Sequence, residues 1–173
     1  LIIVYTGEGK GKTTAALGLA LRAVGYKHKV LIVQFGKFWF TGEIEGIKKL
    51  KPLVKLIQGG KGFVKFMNDK LPIGDHLQAA ADIYNILYKE TISGKWDVVI
   101  ADEIVGAVAG KMLTEKQVLD LIKAKPEHLD LVLTGHHADR FPEILAKADL
   151  VTEMKAIKHP YDQGFLAKPG IDY

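Results

Sequence analysis

Cysteine is absent from the 173 residues. That excludes a disulfide framework and thiolate metal sites, and it suits a reducing, cytoplasmic setting. Long hydrophobic runs are missing too. No apolar stretch reaches membrane-spanning length and no signal peptide is visible, so no membrane partner is expected. Neither sign of charge dominates: 24 Lys and Arg against 20 Asp and Glu leave a net charge of only +4. There is no basic stripe interleaved with aromatics, so nothing points to nucleic acid. No Ser/His/Asp or Cys/His constellation is visible, and there is no internal repeat or low-complexity segment. The length suits a single domain over 1–173 with a sizeable core. The chain opens inside a strand without an initiator Met, so native residues before Leu1 are expected.

What is present is concentrated near the start. Tyr5-Thr6-Gly7-Glu8-Gly9-Lys10-Gly11-Lys12-Thr13-Thr14 follows an apolar strand and opens an apolar helix. Glycines at 7, 9 and 11 let backbone N–H groups converge on a polyphosphate, and the helix N-terminus adds its positive dipole end. Lys12 is placed to reach the phosphates and Thr13 to hold Mg²⁺ (or Mn²⁺). Gly7, Glu8, Gly9, Lys10, Gly11, Lys12, Thr13 and Thr14 are the predicted lining of an ATP site. Thr6 stands where the usual pattern has glycine. Further on, Trp96-Asp97-Val98-Val99-Ile100-Ala101-Asp102-Glu103 reads as a buried strand with an acidic end. Such an end meets the metal of a phosphate site, which predicts Thr13, Asp102 and Glu103 as the metal group.

Strand and helix signals alternate, the pattern of an α/β fold with a mostly parallel sheet covered by helices on both faces. Strands are predicted at 1–5, 29–34, 53–57, 96–103, 129–133 and 150–156. Helices are predicted at 12–24 with Gly25 as the stop, at 75–91, at 114–124 and at 140–147. The helix at 114 begins with a capping-box match, Thr114-Glu115-Lys116-Gln117. Between 37 and 75 the pattern breaks down, and the mixture of Gly, Lys and aromatics predicts loops over the site. The segment 158–173 is expected to be irregular.

Residues beyond the phosphate loop carry a resemblance. They are Tyr5 to Gly25 (YTGEGKGKTTAALGLALRAVG), Val33-Gln34-Phe35, Ala101-Asp102-Glu103 and the terminus ADLVTEMKAIKHPYDQGFLAKPGIDY. Together they resemble the P-loop type of ATP:corrinoid adenosyltransferase over nearly the whole chain. Thr6 is itself a trait of that family. The resemblance implies a RecA-like fold, a homodimer, and transfer of the 5′-deoxyadenosyl group of ATP to the Co(I) of a corrinoid with release of triphosphate. It implies an electron donor that reduces the corrinoid. Lys12, Thr13 and Glu103 become the catalytic candidates, because Co(I) is nucleophilic already and leaves the protein positioning and charge stabilisation. Arg22 is implied as a nucleotide contact, against the alternative of a surface ion pair. Phe63 is implied as an aromatic plate against the corrinoid, where aromatics help displace the lower cobalt ligand, against the alternative of loop packing.

The sequence departs from the family at three places, one of them near the tail, where Lys168 stands in place of the family's usual Gln. Gly62-Phe63 is followed by Val64-Lys65 rather than Thr-Trp, with Phe66 as a substitute plate. Thr134-Gly135 is followed by His136 rather than Arg, with Arg140 able to reach back into the gap. His136 and His137 read as a solvated or phosphate-side pair rather than metal ligands, and His28, His76 and His128 as surface residues. Two other readings remain: a divergent ATP-binding protein without efficient corrinoid transfer, and a small P-loop kinase or ATPase, for which no acceptor base is apparent.

Overall fold

The computed structural model describes residues 1–37, 39–62 and 71–172. In chain order its elements are β1 (Ile2–Thr6), α1 (Lys12–Gly25), β2 (Val30–Phe35), α2 (Gly42–Lys48), β3 (Val54–Gly59), α3 (Ile73–Thr91), β4 (Val98–Asp102), α4 (Ile104–Ala109), α5 (Glu115–Ala124), β5 (Asp130–Thr134), α6 (Pro142–Lys147) and β6 (Leu150–Glu153). The strands pair in parallel in the order β3-β2-β4-β5-β1-β6. The central strands are apolar throughout because both faces are covered. Alternate side chains serve alternate faces. Leu31, Val33, Val99, Ala101, Leu131 and Leu133 join a core with α3, α4, α5 and α6. Val30, Ile32, Val98, Ile100 and Val132 join a second core under α1 and α2. In α1, Ala16, Ala20 and Ala23 are the buried face, and such small side chains bring the helix close to the sheet.

This is the α/β P-loop architecture with helices on both faces. Several local expectations are corrected. The span 37–75 is not loop alone: α2, β3 and the start of α3 lie within it. α2 forms where Glu43 and Glu45 favour a helix start, and Ile47 is buried in the core under α1 and α2. The short α4 falls in a Gly-rich stretch that periodicity does not mark. Its Ile104, Val105 and Val108 are driven inward instead. The last strand stops at Glu153, short of 156. His76 is not a surface residue but 3% exposed. His76 stands one helical turn before Ala80, on the face of α3 that also carries Ile83 and Leu87, and α3 itself begins two residues earlier than expected.

Candidate functional site

Register builds the acidic centre of the site. Gln34 on β2 lies opposite Gln58 on β3 and Asp102 on β4. Gln34 and Asp102 follow Ile32 and Ile100 by two residues, so both side chains face α1 just beyond the C-terminal end of its apolar layer. Asp102 is 1% exposed. Its Oδ1 accepts from the Thr13 hydroxyl at 2.9 Å and the Thr134 hydroxyl at 2.8 Å. Its Oδ2 accepts from Gln34 Nε2 at 3.0 Å and lies 3.3 Å from Lys37 Nζ. A buried carboxylate needs such compensation. Gln34 also donates to Glu43 Oε1 and accepts from Gln58, so three strands and α2 share one polar chain. Burial would raise Glu43, but hydrogen bonds from Gln34, from its own backbone N–H and from Thr41, together with the Lys37 ammonium, outweigh it and hold its carboxyl below the ordinary range.

The phosphate loop joins β1 to α1 beside this centre. Lys12 Nζ donates to the carbonyls of Gly7 at 2.7 Å and Gly9 at 2.9 Å, which fixes the ammonium on the floor of the loop. Its pKa is lowered by burial, against the opposing pull of Glu103, Glu8 and Asp102. The outer wall of the loop is the chain after β6: Gly9 N–H donates to the Met154 carbonyl at 2.7 Å. Gly7, at φ 97°, leaves no room for a side chain, since a Cβ there would stand 2.4 Å from the same carbonyl.

Glu103 has a left-handed backbone, φ 64°, and donates its N–H to Thr134 Oγ1. Its carboxyl is pushed up by burial and by neighbouring Asp102, with His136 and Lys12 opposing. The side chain folds over Gly106, where a Cβ would stand 2.0 Å from Glu103 Oε1. This one residue borders two cavities. The larger, about 650 Å³, is lined by Lys10 to Thr14, Leu17, Trp39, Glu43, His136 and Asp172, among others. The smaller, about 280 Å³, lies among Phe35, Gly60, Gly62, His76, Ala80 and Met112.

The structure therefore brings Lys10, Gly11, Lys12, Thr13, Thr14 and Glu103 to one cavity and Asp102 to its floor through Thr13. Gly7 and Gly9 meet Lys12 through their carbonyls. Glu8 sits on the outer side of the loop, 3.4 Å from His136 Nδ1 and 3.1 Å from His137 Nδ1. Arg22 is exposed on the last turn of α1, about 15 Å along the axis from Lys12, and does not line the cavity. Arg140 is exposed in a short 3₁₀ turn, Ala138–Arg140, and does not line it either. Phe63, Val64, Lys65 and Phe66 lie outside the described residues. Sequence reasoning missed Lys37, Glu43 and Thr134 as parts of the site. Gln34 was legible only through the Val33-Gln34-Phe35 signature.

Among the described residues, no group of three or more His, Asp or Glu is arranged to hold a metal ion. That does not conflict with the metal expected here. Mg²⁺ retains waters and is usually held by one or two carboxylates together with substrate phosphates. A hydroxyl and a buried carboxylate 2.9 Å apart at the helix start, Thr13 and Asp102, are hard oxygen donors that fit it.

A family model for ATP:corrinoid adenosyltransferase BtuR/CobO/CobP matches residues 1–173. The corrinoid adenosyltransferase of Escherichia coli (strain K12) is 34% identical over 174 residues, covering 100% of this chain and 85% of that protein. The corrinoid adenosyltransferase CobA of Salmonella typhimurium is also 34% identical, with the same coverage. That of Pseudomonas aeruginosa is 32% identical over 100% of this chain and 83% of its own length. Among solved structures, the flagellar accessory protein FlaH from Methanocaldococcus jannaschii superposes with a TM-score of 0.56 at 14% identity, covering 88% of this chain and 69% of that one, a likeness of fold. With its whole length matched by the family model and by relatives of 34% identity, this chain belongs to the ATP:corrinoid adenosyltransferase family.

Proposed function

We propose that this protein transfers the 5′-deoxyadenosyl group of ATP to the Co(I) of a corrinoid and releases inorganic triphosphate. The observation that carries the reading is the phosphate loop with Lys12 on its floor and Thr13 joined to Asp102, in a chain matched along its full length by the adenosyltransferase family. In the reaction a Co–C5′ bond forms, the C5′–O bond breaks, and the departing triphosphate takes the bonding electrons. The nucleophile is the substrate's own cobalt, so the protein needs no base.

The protein's work is to orient C5′ and to receive the charge that gathers on the leaving oxygen. The N-terminus of α1 and the loop N–H groups other than that of Gly9, which the Met154 carbonyl occupies, face that charge, and Lys12 adds a fixed cation. Thr13 and Asp102, with Glu103 nearby, would hold Mg²⁺ (or Mn²⁺). When bound, the metal would spread the triphosphate's negative charge. Lys37, 3.3 Å from Asp102 and 3.2 Å from Glu43, keeps the acidic centre from repelling the nucleotide. Glu103, on the border of the two cavities, is the residue through which a second substrate beside the nucleotide would be felt.

The same reading includes a separate electron donor for the corrinoid, a homodimer and a cytoplasmic location. Its support is the family and, for the last, the lack of cysteine; no described helix is long and apolar enough to cross a membrane. The test is to incubate the protein with ATP, Mg²⁺ and chemically reduced cobalamin under strict anaerobiosis. Triphosphate with adenosylated corrinoid is the expected result. Phosphate or diphosphate would mean phosphoryl transfer instead, and ATP binding without product would mean a binding protein.

A further inference from the structure

Residues 168–172 fold into a turn that closes on itself. Asp172 N–H donates to the Lys168 carbonyl at 2.8 Å, and Lys168 N–H donates to Asp172 Oδ2 at 2.7 Å. The turn is tied to the phosphate loop by Lys10, whose Nζ donates to the Ile171 carbonyl at 2.7 Å and pairs with the Asp172 carboxylate. Lys10 and Asp172 are 162 residues apart in sequence. The ammonium of Lys10 and the Lys168 N–H hold the Asp172 carboxyl below its ordinary range.

The position of the turn gives the tie a consequence. Gly170, Ile171 and Asp172 line the larger cavity together with Lys10 to Thr14. The phosphates' donors, the loop amides and Lys12, occupy its floor. The apolar walls are Leu17, Trp39 and Ile171. A bare polyphosphate needs only the floor, whereas a nucleoside triphosphate also needs apolar surface for its base and a fixed wall against which to orient its sugar. Ile171 is on that wall, and Asp172 with Lys10 sets where it stands.

We propose that residues 170–172 form the nucleoside-side wall of the ATP cavity, with Asp172 a positioning residue that acts through Lys10 to favour a nucleoside triphosphate over bare triphosphate. The inference rests on the reading of this cavity as the ATP site. Its chemical use lies in product release: a site that holds ATP better than triphosphate lets the leaving group go once the adenosyl group has been transferred.

Electrostatics separates this from a bystander role. A carboxylate beside a polyanion repels it. If that were all Asp172 did, Asp172→Asn would tighten both ligands. If the Lys10–Asp172 pair were an ordinary exposed ion pair, its loss would change neither measurably. A wall-positioning role predicts weaker binding of ATP without weaker binding of tripolyphosphate. The experiment is equilibrium binding of MgATP and of Mg²⁺-tripolyphosphate to the full chain, to Asp172→Asn, and to a chain ending at Gly170. Both variants should bind ATP about tenfold more weakly, the scale of one charge-assisted hydrogen bond, and tripolyphosphate as well as or better than the parent. In turnover, KM for ATP should rise by more than kcat falls. Equal shifts for the two ligands in either direction, or no shift in either, overturn the proposal. A parent chain that binds neither ligand overturns the ATP-site reading itself, and the inference with it.

Discussion

Lys12 shows how far a residue's role can be read before its surroundings are known. Its place after Gly11 at a helix start predicts a phosphate contact, and the structure puts its ammonium within 2.9 Å of two loop carbonyls. On the proposed reading, Lys12→Ala takes a fixed cation away from the leaving group. It should cost roughly 2–4 kcal/mol of transition-state stabilisation, judged from the loss of a single oxyanion donor. The check is kcat/KM for ATP with pre-reduced corrinoid, and turnover equal to the parent's would remove Lys12 from the catalytic set. Asp102 is harder to read. A strand ending in Asp-Glu announces an acid, but not that two hydroxyls, Gln34 and Lys37 converge on it. Those partners come from α1, β5, β2 and the loop after β2, and only strand register brings them together. Asp102→Asn should raise the Mg²⁺ concentration needed for half-maximal activity more than it weakens metal-free nucleotide binding. A metal dependence unchanged in both Asp102→Asn and Glu103→Gln would make the pair structural.

At the level of elements, what was legible had a strong local signal. The capping box at α5 is one case. Thr114 accepts from Gln117 N–H at 3.2 Å, and Gln117 Oε1 accepts from Thr114 N–H at 2.8 Å. Thr114→Ala should lower stability by about 1 kcal/mol in denaturant melts. α2 and α4 were illegible because each is only two turns or less and carries glycine, so no helical period accumulates. Tertiary burial decides them instead. Glu90, at the end of α3, is a junction of the same kind. It accepts from Trp96 Nε1 at 2.9 Å and pairs with Lys55 on β3 at 3.5 Å. The indole hydrogen bond is the largest cause holding its carboxyl below the ordinary range. A carboxyl lowered in the fold stabilises the protein above its unfolded pKa, about 4.3 for Glu, and that contribution is lost as pH falls through the folded value. Glu90→Gln should therefore be less stable than the parent at pH 7, by under about 1 kcal/mol given its partial exposure. The gap should close progressively below about pH 4.3. Urea melts across that range measure it, and a gap that holds at low pH would sever the stabilisation from the charge.

For the whole molecule, the sheet order decides where chemistry can occur. Parallel strands collect their C-terminal ends on one edge, and ligands bind there. The phosphate loop after β1, the acid after β4 and the polar pair Gln34 and Gln58 all lie on that edge, with Glu103 between the larger cavity and the smaller one. The smaller cavity includes Gly60, Lys61 and Gly62, and Phe63 follows directly in sequence. A corrinoid presented to C5′ would approach from this side. Once cobalt loses its lower ligand, its open face must be shielded from water. An aromatic plate does this by burying on the order of 150–250 Å². A lysine offers only its methylene stem, and its ammonium brings water with it. Lys65 should therefore make this protein a poorer activator than relatives with an aromatic there. Transfer to chemically generated Co(I) should be less impaired than transfer that starts from Co(II) and a weak reductant. Lys65→Trp should narrow the difference between the two rates, and Phe63→Ala should widen it. The ratio of those rates, measured anaerobically in parent and variants, is the test. If both substitutions leave the ratio where it was, this segment does not govern cobalt activation, and the corrinoid must approach Glu103 from another side.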